Sequence, residues 1–425
     1  MLKTLKQNVL LKVLSMNAVS VAVSFATGIF STKLISVFLG APGMAMLGSF
    51  KNFSSMLRSV ATVGISNSVV KLYVENRDDK KELSVIYSTF FWFFLVISVL
   101  LGSITVLFSK TISSFLFFTD AYYYPICFFA LFLPLMVLNT FWTAVYNGLE
   151  MFKKIIIIQL VSNIAVFAIT ALLIIKENIS GALLSFAFGE LGMVVVTFIF
   201  IRADGAYFAF DLHKIIQRKY VSVILRFSSM ALLSAVIGPM TLILIRKEIV
   251  TAFSMQEAGV WDAVTRLSGF YMLLFNSGLS LYYMPKLASL NTDAEFRTEL
   301  KSYFKLFVPL FLLMLCCIYI GRDIIVKIAF TDAFLKIKDL LFWQLGGDFF
   351  RIMTLAFGYQ IVIKTMVRKY FFIEILFNVS YFLLALLMIR TMASEGALQA
   401  YFFANMFLFV VMAFMFRHTI LRRTI

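Results

Sequence analysis

The stretch V-L-S-M-N-A-V-S-V-A-V-S-F-A-T-G-I-F-S-T-K-L-I-S-V-F-L, Val13–Leu39, decides the fold together with the segment behind it. That second segment, Met44–Tyr73, begins M-A-M-L-G-S-F-K-N-F-S-S-M-L-R. Each is long and apolar enough to cross the hydrocarbon of a bilayer, which takes about 20 residues of helix. Val13–Leu39 is also too long for the apolar part of a signal peptide and has no clear small-residue cleavage site. Both segments carry cations inside them: Lys33 in the first, Lys51 and Arg58 in the second. A cation at the centre of a membrane helix is unfavourable by about 2.5–3.5 kcal/mol on insertion scales. Such residues face a wet cavity or an anionic partner, so three of them point to a cavity that holds an anion within a membrane.

The whole chain agrees with this reading. Of its 425 residues 61% are apolar and 14% charged, and the mean hydropathy is +0.94. A soluble domain has about 25% charged residues. Twelve spans are expected: Val13–Leu39, Met44–Tyr73, Val85–Phe108, Tyr122–Val145, Ile155–Ile175 and Ile179–Ile201, then Val221–Ile245, Ala258–Tyr283, Tyr303–Ile320, Leu340–Ile363, Tyr370–Ile389 and Ala397–Phe416. The second, eighth and tenth carry internal charge. The fold class is an all-α polytopic membrane protein.

The net charge of +16 lies mostly in short connections, the positive-inside pattern, and does not indicate nucleic acid. The termini and even-numbered loops hold more than twice as many Lys and Arg as the opposite loops, which places both termini in the cytoplasm. The longest cytoplasmic connection gives three parts: residues 1–202, six helices; 203–220, a linker; and 221–425, six more. Six is even, so the halves are parallel repeats. Lys33, Gly43 and Lys51 are weakly echoed by Arg246, Gly259 and Arg266. Gly28 and Pro239 are candidate hinges.

No enzyme signature appears. There is no Walker-type phosphate loop, and His213 and His418 lie in polar cytoplasmic segments. Cys127, Cys316 and Cys317 have no metal-ligand spacing and read as packing residues. No catalytic residue, metal or cofactor is expected.

Intramembrane charge carries what chemistry there is. Lys51 and Arg58, seven residues apart, share a helix face. With Lys33 they could form a cationic ladder, and Glu190, between Gly189 and Gly192, is the obvious acid in that half. Glu190 is a candidate for a proton-linked coupling step, or else a permanent ion-pair partner of one of those bases. In the second half Asp262 and Arg266 (i,i+4) and Asp348 and Arg351 (i,i+3) read as self-neutralising ion pairs that support the lobe. The anionic part of a substrate is therefore expected in the first half.

Three stretches carry a family likeness: T-K-L-I-S-V-F-L-G-A-P-G-M-A-M-L-G-S-F-K-N-F (Thr32–Phe53); I-R-K-E-I with E-A-G-V-W-D-A-V-T-R-L-S (Ile245–Ser268), leading to Y-Y-M-P-K-L; and D-L-L-F-W-Q-L-G-G-D-F-F-R (Asp339–Arg351). The chain resembles the Wzx-type polysaccharide-lipid flippases, O-antigen and enterobacterial common antigen translocases within the multidrug/oligosaccharidyl-lipid/polysaccharide exporter superfamily. The resemblance implies a MATE-like V of two six-helix lobes in the bacterial inner membrane. It implies a polyprenyl (undecaprenyl)-diphosphate-linked oligosaccharide as substrate, moved from the cytoplasmic to the periplasmic leaflet. It places Lys33, Lys51, Arg246 and Arg266 among the cavity cations; Arg58 rests on geometry alone. Membrane lipids, a polysaccharide polymerase and chain-length proteins are the implied partners.

Two rivals stand beside it. A drug/cation antiporter needs cavity acids, and the first two spans hold bases, Lys33, Lys51 and Arg58 among them, and no acid. A membrane glycosyltransferase or polymerase needs a large outer loop or an acidic catalytic motif, and the outer loops are short. With no nucleotide site, transport is expected to run on an ion gradient or membrane potential.

Overall fold

A computed structural model describes residues 2–62, 66–204, 217–290 and 292–421. His213 and most of the connection 203–220 lie outside them, as do Arg422 and Arg423. Every regular element among the described residues is helical. The first run comprises α1 (Leu2–Phe38), α2 (Gly40–Thr62), α3 (Ser66–Glu75), α4 (Lys80–Leu107), α5 (Ser109–Phe117), α6 (Tyr123–Gly148) and α7 (Phe152–Ala203). The second comprises α8 (Arg218–Ala252), α9 (Met255–Ala288), α10 (Asp293–Ile320), α11 (Arg322–Ala329), a 3₁₀ turn at Asp332–Phe334, α12 (Ile337–Ile363), α13 (Val367–Met415) and α14 (Arg417–Leu421).

The two runs repeat each other. Left-handed backbone occurs at Glu150 and Thr365, just before α7 and α13, and at Asn178 and Ala393 within them. Both pairs are 215 residues apart. At Asn178 (φ 52°, ψ −127°) and Ala393 (φ 51°, ψ −128°) the helix breaks. Three residues on stand Gly181 and Gly396, where a Cβ would come within 2.0 Å of the Leu173 carbonyl oxygen and 2.3 Å of that of Met388. Only glycine permits that approach. In α7 the chain folds back, so that Gly189 meets Val166 and Gly192 meets Ile169. In α13 the ring of Tyr401 returns to within 5.5 Å of that of Tyr381. Each of these 52- and 49-residue elements is a helical hairpin. Local start signals repeat as well. Asp79 caps α4 by accepting from the Lys81 and Glu82 N–H groups, and Thr292 with Glu295 forms a capping box on α10.

Among the described residues, seven helices are long and apolar enough to cross a membrane; the two hairpins are each among them. The second, eighth and tenth expected spans correspond to α2, α9 and α12, which are not among those seven. Large apolar side chains point outward along the apolar helices: Leu131, Leu172, Leu313 and Leu387 are all more than half exposed. In water such faces would aggregate. In lipid they meet their proper solvent, while each helix satisfies its own backbone hydrogen bonds. The protein is a multi-pass membrane protein.

Contacts divide the chain into two units: residues 1–38 with 49–239, and residues 39–48 with 240–425. The changeovers fall inside α2 at Gly48 and inside α8 at Pro239. In the first unit α6 is central, packed by α3, α4, α5 and α7. Its core is aromatic: Phe50 meets Phe53, Phe117, Phe129 and Phe186 with centroids 5.2–6.5 Å apart. In the second unit α12, the repeat partner of α6, is packed by α9, α10, α11 and α13.

Candidate functional site

The first unit contains a cavity of about 550 Å³, within the range of ligand clefts. Arg58, Ser59 and Thr62 line it from α2, and Asn139, Thr140, Thr143 and Asn147 from α6. Gln159 and Glu190 enter from the two arms of the α7 hairpin. The fold-back at Asn178 is what brings Glu190 opposite α2. There the Arg58 guanidinium donates from Nη1 to the Glu190 carboxylate. The two expected residues thus meet as an ion pair. Lys33, on α1, is half-buried, and Lys51, on α2, is exposed; neither is among the described residues lining this cavity.

The α6 lining was missed in the sequence although its signal was there. Asn139, Thr143 and Asn147 recur every four residues, a polar stripe down one face of an otherwise apolar helix. Asn139 is 5% exposed, and its side-chain carbonyl oxygen has no hydrogen-bond partner.

In the second unit both acids of the expected ion pairs take hydrogen-bond partners other than the arginine on their own helix. Asp262 is held by Arg246 of α8, with Nε to Oδ2 and Nη2 to Oδ1 both 2.6 Å; Arg266, one turn along its own helix, is not the bidentate partner. The planar fork of Arg246 matches both carboxylate oxygens, which an i,i+4 neighbour on the same helix does not here. Arg246, expected among the substrate cations, is 3% exposed and also lies over the Trp261 ring at 5.2 Å. Gly48 makes room for the pair: a Cβ there would sit 2.6–2.7 Å from the Asp262 carboxylate.

Asp348 is fully buried and accepts from Ser268 Oγ (2.6 Å), Tyr271 OH (2.5 Å), Tyr401 OH (2.8 Å) and Gln344 Nε2 (3.1 Å). Arg351 makes its hydrogen bond to Tyr401, donating to that hydroxyl at 3.5 Å, and attracts Asp348 through space. Residues one turn apart on one helix are bridged by the second arm of the α13 hairpin, which sequence spacing does not reveal. Outside the expected spans, Glu257 at the start of α9 accepts from Lys336 Nζ (2.7 and 2.8 Å) and Ser394 Oγ (2.5 Å). Partial burial pushes its carboxyl up, but Lys336 and Ser394 outweigh that and hold it below the usual range.

Comparison with known proteins places this geometry. The model of a family described as "Polysaccharide biosynthesis protein" matches residues 40–339. The lipid III flippase of Escherichia coli (strain K12) is 26% identical over 396 residues, 90% of this chain and 92% of that protein. The lipid III flippase of Shigella flexneri matches with the same figures. Among solved structures, an inward-facing MATE-family multidrug resistance transporter of the MOP superfamily has a TM-score of 0.76 at 12% identity, covering 94% of each chain. The lipid II flippase MurJ, in an inward closed conformation, has a TM-score of 0.76 at 14% identity, covering 94% of this chain and 87% of that one. The structural likenesses speak to the fold.

Proposed function

The chain belongs to the polysaccharide biosynthesis protein family, and from that premise we propose that it is a non-enzymatic flippase. It moves a polyprenyl-diphosphate-linked oligosaccharide from the cytoplasmic to the periplasmic leaflet of the bacterial inner membrane for surface polysaccharide synthesis. The observation that carries this reading is the polar cavity enclosed by apolar helices in the first unit. A hydrophilic head group cannot cross hydrocarbon unaided, and such a cavity replaces its hydration. The curated relatives, named as lipid III flippases, support the substrate class.

In this reading the chain spans the membrane twelve times with both termini cytoplasmic. It works as two six-helix lobes, residues 1–202 and 221–425, joined by 203–220. Lys33 and Lys51 meet the diphosphate, with Arg266 as their counterpart in the second lobe. Arg246 and Asp262, like Asp348 and Arg351, hold the second lobe together. Glu190 couples transport to protons: protonation releases Arg58 from its ion pair, and deprotonation restores it. A polymerase and chain-length proteins receive the flipped product. The test is reconstitution into liposomes. The protein should move lipid-linked glycan to the outer leaflet, faster under an imposed pH gradient, and Glu190→Gln should lose the pH response. A wild-type protein that moves none overturns the proposal.

A further inference from the structure

We propose that the cavity of the first unit is the sugar-reading subsite, with Asn139, Thr140 and Thr143 of α6 determining which glycan is accepted. The inference rests on the flippase reading. It assigns the cavity to the sugar rather than to the diphosphate.

Charge is the first ground. While Glu190 is ionised, Arg58 and Glu190 neutralise each other, and in that state the described lining offers no surplus cation to a diphosphate. Hydrogen-bond polarity is the second. A threonine hydroxyl has one proton and two lone pairs. Thr140 gives its proton to the Met136 carbonyl (3.1 Å), Thr143 to the Asn139 carbonyl (2.9 Å) and Thr62 to the Ser59 carbonyl (3.2 Å). Those protons are committed to the helices, so the three hydroxyls face a ligand as acceptors. The Asn139 side-chain oxygen is a fourth acceptor, buried and without a donor. A buried polar atom in that state is unfavourable until something donates to it. Phosphate oxygens are themselves acceptors and receive no proton from these four atoms. Sugar hydroxyls are donors and would satisfy it.

The lining chemistry is the third ground. Among its described residues are seven neutral polar side chains and no aromatic ring. Sites for drug-sized apolar ligands are lined mainly by hydrophobic and aromatic groups. A site built to hydrogen-bond hydroxyl groups discriminates strongly against ligands lacking them.

The test uses the full-length protein in detergent and two probes: the lipid-linked glycan pool extracted from the source cells, and undecaprenyl diphosphate without sugar. Wild-type protein should bind the glycan-bearing lipid about tenfold more tightly or better. Asn139→Leu and the near-isosteric Thr143→Val should each remove most of that preference while leaving affinity for the bare diphosphate within about twofold, a loss of one hydrogen bond's worth of discrimination. Melting temperatures close to wild type establish that the variants are folded. The inference is overturned if wild-type protein binds both lipids equally. It is also overturned if both variants keep the preference, or weaken both lipids alike. Liposomes separate the two ideas: a preserved binding preference with no flipping by wild-type protein removes the transport reading and leaves the sugar subsite standing.

Discussion

Asp262→Leu should be among the most damaging single changes in the second unit, and a second change should undo the damage. The side chains of Arg246 and Asp262 are 4% and 8% exposed and share two bonds of 2.6 Å. Removing the carboxylate strands a buried guanidinium, a loss of about 3–5 kcal/mol. In a unit of this size that lowers the melting temperature by about 6–20 °C. Stacking of Arg246 on Trp261 offsets only about 0.5–2 kcal/mol. Replacing both partners, Arg246→Met with Asp262→Leu, removes the guanidinium that both carboxylate oxygens hold, leaves only the weaker Asp262–Arg266 attraction unmet, and should restore most of the loss. Pairing Asp262→Leu with Arg266→Met should restore less, because Arg246, which holds both carboxylate oxygens, stays uncompensated. Melting of the purified protein in detergent, run as two double-mutant cycles, measures both couplings. Rescue by Arg266→Met as large as that by Arg246→Met, or none by Arg246→Met, would refute the pairing.

Other outcomes follow from the same geometry. Gly396→Ala should abolish accumulation of folded protein, since its methyl would lie 2.3 Å from the Met388 carbonyl oxygen; membrane yield and gel filtration report it. Tyr401→Phe removes one of four donors to Asp348 and the bridge to Arg351, and should lower stability by about 1–3 kcal/mol in a denaturation series. The carboxyl of Glu257 lies below its ordinary value when folded, so the Lys336–Glu257–Ser394 contact stabilises above the unfolded value, about 4.3, and weakens as pH falls through the lower folded value. Wild-type protein should therefore lose melting temperature on acidification below about pH 4.3 more steeply than Glu257→Gln. Reporter fusions after Ile425 and near Asp211 should both score cytoplasmic, and a periplasmic score at either breaks the twelve-span topology.

By itself the sequence determined that this is a membrane protein of helices, because hydropathy acts residue by residue over windows of about 20 and needs no knowledge of neighbours. It also held the trace of a repeat, since Lys51 and Arg266 stand at the same 215-residue spacing as the two hairpin breaks. It marked Arg58 and Glu190 as charges requiring partners, but not that they were each other's. That pairing needs α7 to fold back at Asn178, where a single left-handed residue and Gly181 reverse the chain. Tertiary structure alone chose Arg246 over Arg266 for Asp262, and placed Tyr401 between Asp348 and Arg351. Spacing along one helix reports which side chains share a face, whereas a buried charge takes the partner that reaches both its oxygens. The acceptor-lined cavity was hidden for the same reason: a threonine in a sequence is donor and acceptor alike, and only its helix's carbonyls decide which half is left for a ligand.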